Sequence, residues 1–345
     1  MTHLDTEIAS QPESLARLLD RERATVSGLA KEIKRLGLKQ IFLVARGSSD
    51  NAGLFGKYLF GARNQMIVSL ATPSLFTLYN KPPRLKGSLV LAISQSGESD
   101  DLCQVVAEGR KQGADCLVVT NSPGSPLADL GNWVLPLHAG PERSVAATKT
   151  YTAELLALAM LSVALKGQDS GWRELSRVPD LVQQALVESV PVAALAARYR
   201  YAERMAVIGR GFNYATAFEL ALKLKELAYL AAGPSSSADF RHGPIAVVGE
   251  GFPVLLIAPS GKTLKDMRAL AAELKTRRAE ILAISNDAAI LKRAQCPMPI
   301  PKAVPEWLSP LVAAVPGQLL ARHVAAVRDC PLDQPRGLRK VTRTR

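Results

Sequence analysis

The chain has 345 residues, 48% of them apolar and only 5% aromatic, with 43 Lys and Arg against 31 Asp and Glu for a net charge of +12. That length is long for one domain and suits two of about 150 residues, each able to bury a core. The charge excess raises nucleic acid as a partner, but the basic residues are scattered except for Arg336, Arg339, Lys340, Arg343 and Arg345. The roughly 36 residues ahead of the first strand are also short for an appended DNA-binding domain. No nucleic acid is expected; attraction of small anionic ligands is the milder reading. The N-terminus, Met1-Thr2-His3-Leu4-Asp5, is polar and carries no signal-peptide pattern. The longest apolar run, Leu155 to Leu165, is bracketed by Glu154 and Lys166 and is short for a membrane span. Cys103, Cys116, Cys296 and Cys330 lie far apart with no metal or redox spacing. A cytoplasmic protein with free thiols, no metal, no cofactor and no membrane contact is therefore expected.

Helical spacing runs through residues 11–36 (Leu15, Leu18, Leu19, Val26, Leu29, Ile33), with Pro12 where a helix start tolerates it. A first strand, Ile41-Phe42-Leu43-Val44, ends in the polar turn Ala45-Arg46-Gly47-Ser48-Ser49-Asp50-Asn51. A second, Leu89-Val90-Leu91-Ala92-Ile93, ends in Ser94-Gln95-Ser96-Gly97-Glu98-Ser99 and is followed by helical spacing at Leu102, Val105 and Val106. Cys116-Leu117-Val118-Val119 and Trp133-Val134-Leu135 read as further strands, and a buried helix is predicted from near Val145 to Lys166. Strands alternating with helices predict a parallel sheet in a doubly wound α/β domain.

The pattern then repeats at an offset of 164 residues. Val44-Ala45-Arg46-Gly47 aligns with Ile208-Gly209-Arg210-Gly211, Val90-Leu91-Ala92-Ile93 with Val254-Leu255-Leu256-Ile257, and Ser96-Gly97 with Ser260-Gly261. One residue further on, Thr120-Asn121 meets Ser285-Asn286. The chain reads as two copies of one α/β unit. The predicted parts are an N-terminal helical segment 1–34, a first domain 35–167, a helical linker 168–199, a second domain 200–328 and a tail 329–345.

The turn 94–99 carries the first chemical signal. A Gly-containing turn between a strand and a helix aims N–H groups and the helix dipole at an anion. Ser94, Ser96 and Ser99 add hydroxyl donors, so the ligand it suits is a phosphate monoester. A Ser-rich turn that only caps its helix is the plain alternative. The second copy reads Ala258-Pro259-Ser260-Gly261-Lys262-Thr263, with one hydroxyl and one N–H fewer, so the anion site is expected in the first copy.

Glu219, Lys223 and Glu226 share a helical face, either a solvated charged face or, given the small flanking residues Ala215, Ala217 and Ala221, a packed one. Partial burial would suit a carboxylate that exchanges a carbon-bound proton. His242 stands in Phe240-Arg241-His242-Gly243-Pro244, after what reads as a flexible polar loop, Gly233-Pro234-Ser235-Ser236-Ser237, and could protonate a ring oxygen near neutral pH. His3, His138 and His323 read as structural. Gly209-Arg210-Gly211 begins a dinucleotide fingerprint that Tyr214 breaks, and no Walker loop is present.

Together these residues resemble the sugar isomerase (SIS) fold in tandem, from about residue 35 onward. The motifs are Gly47-Ser48-Ser49 with Asn51-Ala52-Gly53, Ser94-Gln95-Ser96-Gly97-Glu98, Val145-Ala146-Ala147-Thr148-Lys149, Ala221-Leu222-Lys223-Leu224-Lys225-Glu226, His242-Gly243-Pro244 and Asp333-Gln334-Pro335-Arg336. The resemblance is to the isomerase half of glucosamine-6-phosphate synthases and to stand-alone SIS-type glucosamine-6-phosphate deaminases. It implies two α/β domains, each a parallel sheet between helix layers in a flavodoxin-like arrangement. It implies that Ser94, Gln95, Ser96 and Ser99 hold a sugar phosphate, and that Gly47, Ser48, Ser49, Val145 and Ala146 line the sugar. It further implies Glu226 as the base between C1 and C2, Lys223 beside it, and Lys340 at the open-chain carbonyl. His242 would act in ring opening, contributed across a homodimer with shared active sites.

Ala147 stands where the synthases often have Ser, and the tail Leu338-Arg339-Lys340-Val341-Thr342 is more like the deaminases. No glutaminase domain is expected to accompany these motifs. The expected activity is that of a glucosamine-6-phosphate deaminase or isomerase, giving fructose 6-phosphate and ammonia. Isomerisation or deglycation of another sugar phosphate, and a non-catalytic phosphosugar sensor, are the alternatives.

Overall fold

A computed structural model describes residues 1–341; Arg343 and Arg345 of the basic tail, with Thr342 and Thr344, lie outside the described residues. The chain divides into two compact units. One comprises Glu13–Glu142, Lys149–Arg177 and the tail from Arg339; the other comprises Met1–Pro12, Arg143–Thr148 and Val178–Leu338.

The first unit holds a parallel sheet of β1 (Gln40–Val44), β2 (Ile67–Leu70), β3 (Leu89–Ser94), β4 (Asp115–Thr120) and β5 (Trp133–Pro136), in the order β2-β1-β3-β4-β5. The second holds β6 (Arg204–Gly209), β7 (Ala231–Ser236), β8 (Pro253–Ile257), β9 (Glu280–Ser285) and β10 (Cys296–Pro299), in the order β10-β9-β8-β6-β7. Read from the other edge, the second sheet has the same topology as the first. The duplication inferred from the 164-residue offset is therefore a duplication of fold, and the class is the expected α/β with two doubly wound parallel sheets.

Every residue of β3 is buried, as a central parallel strand covered on both faces requires. Val44, Val90, Ala92, Val105, Val118 and Leu127 pack the first core. Ile208, Val254, Leu256, Met267, Leu270 and Ile281 pack the second. Each Val, Leu or Ile so buried contributes about 1.5–3 kcal/mol of transfer free energy.

The helix Lys149–Lys166 is apolar all round and is buried at every position from Lys149 to Val163. The apolar helix in the other unit, Ser309–Val327, belongs to a segment from Glu306 that is long and apolar enough to cross a bilayer, yet 72% of that window is buried inside the protein. It packs against the helix Asn213–Ala228, and Gly317 is why the two can close: a side chain there would run into the Leu220 methyl groups.

Three expectations are corrected. The helix predicted from Val145 starts at Lys149, because residues 143–148 spend their backbone elsewhere: Arg143 and Ser144 donate N–H groups to the Glu7 carboxylate, and Val145 donates to the Asp333 carbonyl at 3.0 Å. Strand β2 had no clear signal, being a four-residue edge strand with one buried position, Val68. Gly233–Ser237 is not a flexible loop. Residues Ala231–Ser236 form β7, paired with β6 from Arg204↔Ala231 to Gly209↔Ser236, and Ser237 opens a short helix to Arg241. Its Gly-Pro-Ser-Ser composition suggests a turn, but Pro234 is tolerated because β7 is the sheet edge.

Candidate active site

In the first unit the turn after β3 is held closed by its own serines. Ser94 Oγ accepts the Gly97 N–H at 3.0 Å and Ser96 Oγ accepts the Glu98 N–H at 3.3 Å. Each hydroxyl thus keeps its proton to donate outward. Gly97 has φ +67 and lies so close to Ser125 that a Cβ would meet that side chain. Asn121 and Leu127 pin the turn from β4 and beyond, donating N–H groups to the Gln95 and Gly97 carbonyls at 3.3 and 3.1 Å. Ser99 is the N-cap of the helix Asp100–Lys111, and its side chain makes no cap bond. The turn is therefore braced from within, and holding it does not use the hydroxyl protons of Ser94 and Ser96.

Gly47 and Ser48 open the helix Gly47–Asn64 at the end of β1. Ser49 turns inward instead, its buried hydroxyl donating to Glu154 Oε1 at 2.7 Å. Lys340 lies in the same unit, with Nζ 2.8 Å from Glu142 Oε2. The Glu142 side chain is fully buried and also takes the Thr150 N–H at 3.1 Å and the Thr150 hydroxyl at 2.7 Å, at the start of the Lys149–Lys166 helix. A carboxylate fixed in that way sets where the ammonium points. Beside these groups is a cavity of about 610 Å³ lined by Arg17, Arg21, Gln95, Asn121, His138 and Glu142 among others. It touches both the Ser94–Ser99 turn, at Gln95, and the carboxylate that holds Lys340.

In the second unit Glu219, Lys223 and Glu226 line one face of Asn213–Ala228, and the face is packed, not solvated. Lys223 is 1% exposed, with Nζ 2.6 Å from Glu226 Oε2 and 3.5 Å from Glu219 Oε1. Glu219 is fully buried, whereas Glu226 keeps 23% of its side chain exposed. A buried cation thus fixes one oxygen of a carboxylate whose side chain remains partly exposed. His242 ends the short helix after β7, exposed, with its N–H on the Asp239 carbonyl at 3.0 Å. Val145 and Ala146 sit on the 143–148 segment, whose Thr148 carbonyl accepts from Gln318 Nε2 at 3.3 Å.

The order β2-β1-β3-β4-β5 occurs twice, with a serine-rich turn after the third strand of the first copy only. The sequence pattern of the SIS domain matches residues 37–164 and 199–328, one match for each sheet. The chain belongs to the SIS domain family. The glutamine–fructose-6-phosphate aminotransferase (isomerizing) of Thermococcus kodakarensis is 36% identical over 347 residues, covering 97% of this chain and 56% of that protein. The chain thus spans little more than half the length of such relatives. The C-terminal domain of glucosamine-fructose-6-phosphate aminotransferase from Francisella tularensis superposes with a TM-score of 0.87 at 28% identity, over 97% of this chain and 98% of that one. Glucosamine-6-phosphate deaminase from Thermotoga maritima shares the fold, with a TM-score of 0.82 at 21% identity, over 99% of this chain and 100% of that one.

Two site features of this SIS protein were not legible in advance. Glu142 carries no motif signal by itself; only the fold shows it beneath Lys340. Asp333 was visible only within a motif. Its carboxylate accepts the His3 and Leu4 N–H groups at 3.0 and 2.8 Å, capping the first helix, while its carbonyl holds Val145. Among the other histidines, His138 Nε2 meets Glu22 at 2.6 Å, and burial with the adjacent Arg322 pushes His323 down. Burial pushes the Cys116 and Cys296 thiols up to about 11, so neither is a thiolate at neutral pH.

Proposed function

We propose that this SIS protein binds a sugar phosphate and moves a proton between C1 and C2 of its open-chain form, with glucosamine 6-phosphate as the substrate. The observation that carries the reading is the buried Lys223 clamped between Glu219 and Glu226, with the Glu226 side chain left partly exposed. In this reading the Ser94–Ser99 turn anchors the phosphate and His242 assists ring opening. Glu226 removes the C2 proton of the open-chain aldehyde and returns one to C1. Lys223 orients Glu226, and the Lys340 ammonium faces the oxygen on which charge develops. With an amino group on C2 the product is the ketimine, and water converts it to fructose 6-phosphate and ammonia. The names of the relatives above, which join fructose 6-phosphate to an amino sugar, support that substrate.

The test is ammonia release from glucosamine 6-phosphate, coupled to detection of fructose 6-phosphate, with deuterium incorporation followed in heavy water. Ammonia together with deuterium at C1 is expected. Deuterium exchange without ammonia across a phosphosugar panel would reassign the protein as an aldose–ketose isomerase. No exchange and no release with any phosphosugar would overturn the catalytic reading in favour of a sensor.

We also propose that the working unit is a homodimer in which His242 serves a neighbour's substrate. Mixing inactive Glu226→Gln and His242→Ala chains should then restore about a quarter of the wild-type rate, since about half the dimers are hybrids with one intact site. A mixture that stays inactive after verified subunit exchange would assign both residues to one chain's site.

A further inference from the structure

Arg46 follows β1, which runs parallel to β3, so Arg46 and the Ser94–Ser99 turn leave the same end of the sheet. Its Nε donates to Asp101 Oδ2 at 2.7 Å, and its Nη2 meets the same oxygen at 2.6 Å. Asp101 lies in the first turn of the helix that Ser99 caps. Its side chain is 1% exposed and that of Arg46 is 50% exposed. The guanidinium is therefore anchored along one edge and open along the other, beside the first turn of the helix that follows the serine turn.

The charges nearby favour a cation there if the turn is to hold an anion. Glu98, Asp100 and Asp101 place three carboxylates at the turn and the helix start. They suit the helix dipole when the turn is empty, but they oppose a bound dianion. Burial pushes the Asp50 carboxyl, in the first turn of the helix after β1, above its ordinary value, and the Arg46 charge offsets only part of that. A guanidinium has five donors in a rigid fork; with two engaged on Asp101, the remaining edge matches phosphate oxygens.

We propose that Arg46 is a phosphate-binding residue of this site and that Asp101 is its positioning residue. Asp101 holds one edge of the guanidinium, and the open edge closes on the phosphate beside the serine hydroxyls. The inference rests on the phosphosugar reading and deepens it, by assigning discrimination for a phosphate dianion to a cation outside the serine turn.

The test is calorimetric titration of the full chain with inorganic phosphate and with glucosamine 6-phosphate, alongside steady-state kinetics. Arg46→Ala should weaken inorganic phosphate binding and raise KM about tenfold to a hundredfold, with kcat within about threefold of wild type. Arg46→Lys, which keeps the charge and the contact to Asp101 but loses the fork, should fall between, and it stands in if Arg46→Ala does not fold. Asp101→Asn should raise KM by a smaller factor, since it loosens the guanidinium without removing it. Wild-type phosphate affinity in folded Arg46→Ala or Arg46→Lys would overturn the role of Arg46 alone. Failure of the wild type to bind either ligand would overturn the phosphosugar reading, and this inference with it.

Discussion

The two repeats share strand order and helix placement, yet the turn after the third strand differs between them in kind. In the first repeat, Ser94 and Ser96 brace the turn from within and leave hydroxyl protons to donate. In the second, Pro259 removes a donor, and the Ser260 N–H is taken by Asn286 Oδ1 at 2.7 Å. There Gly261 lies against the Glu306 carboxyl, so the position is already occupied by a negative group. The second repeat instead carries buried charge on the helix after its first strand: Glu219, Lys223 and Glu226. Duplication of a fold therefore does not duplicate its site. In the proposed function the first copy anchors the phosphate through the turn after its third strand, and the second moves the proton from the helix after its first strand.

That division can be broken experimentally. Glu226→Gln, which keeps the shape and removes the base, should lower kcat by a factor on the order of 10²–10⁴ with KM little changed, read by steady-state kinetics. A drop confined to KM would move Glu226 from chemistry to binding. Ser96→Ala deletes one donor to a charged oxygen and should cost roughly 1.5–3 kcal/mol, appearing mainly as raised KM. An unchanged KM would place the anchor outside this turn. Gly97→Ala forces a side chain into φ +67 and onto Ser125. It should lower stability by about 1–3 kcal/mol in thermal or denaturant unfolding, and should raise KM as the turn distorts. Ser260→Ala is the smallest perturbation, expected to change stability by no more than about 0.5 kcal/mol and to leave KM within error. A raised KM there would show that the second turn still contacts the ligand.

Much of this architecture was legible because parallel strands buried on both faces leave long apolar runs, as at Leu89–Ile93 and Val254–Ile257. Two of the edge strands, β2 and β7, were not, since they bury only part of their residues and take composition from turns. The serine turn was legible as a strand-to-helix turn, because strand, glycine and helix start are contiguous. The state of the charged helix was not. The spacing of Glu219, Lys223 and Glu226 fits an exposed face as well as a buried one, and only packing distinguished them.

What the amino-acid order determined by itself was the contiguous part: strand and helix periods, the repeat, and the turn chemistry, all set within a few residues by backbone geometry and local hydrogen bonding. What only the tertiary structure decided was which charges meet. Glu142 lies beneath Lys340 across 198 residues, Arg46 reaches Asp101 across 55, and Asp333 caps the first helix from the far end of the chain. Charge pairing in a folded protein depends on distance and burial, and neither is written in the spacing of residues so far apart.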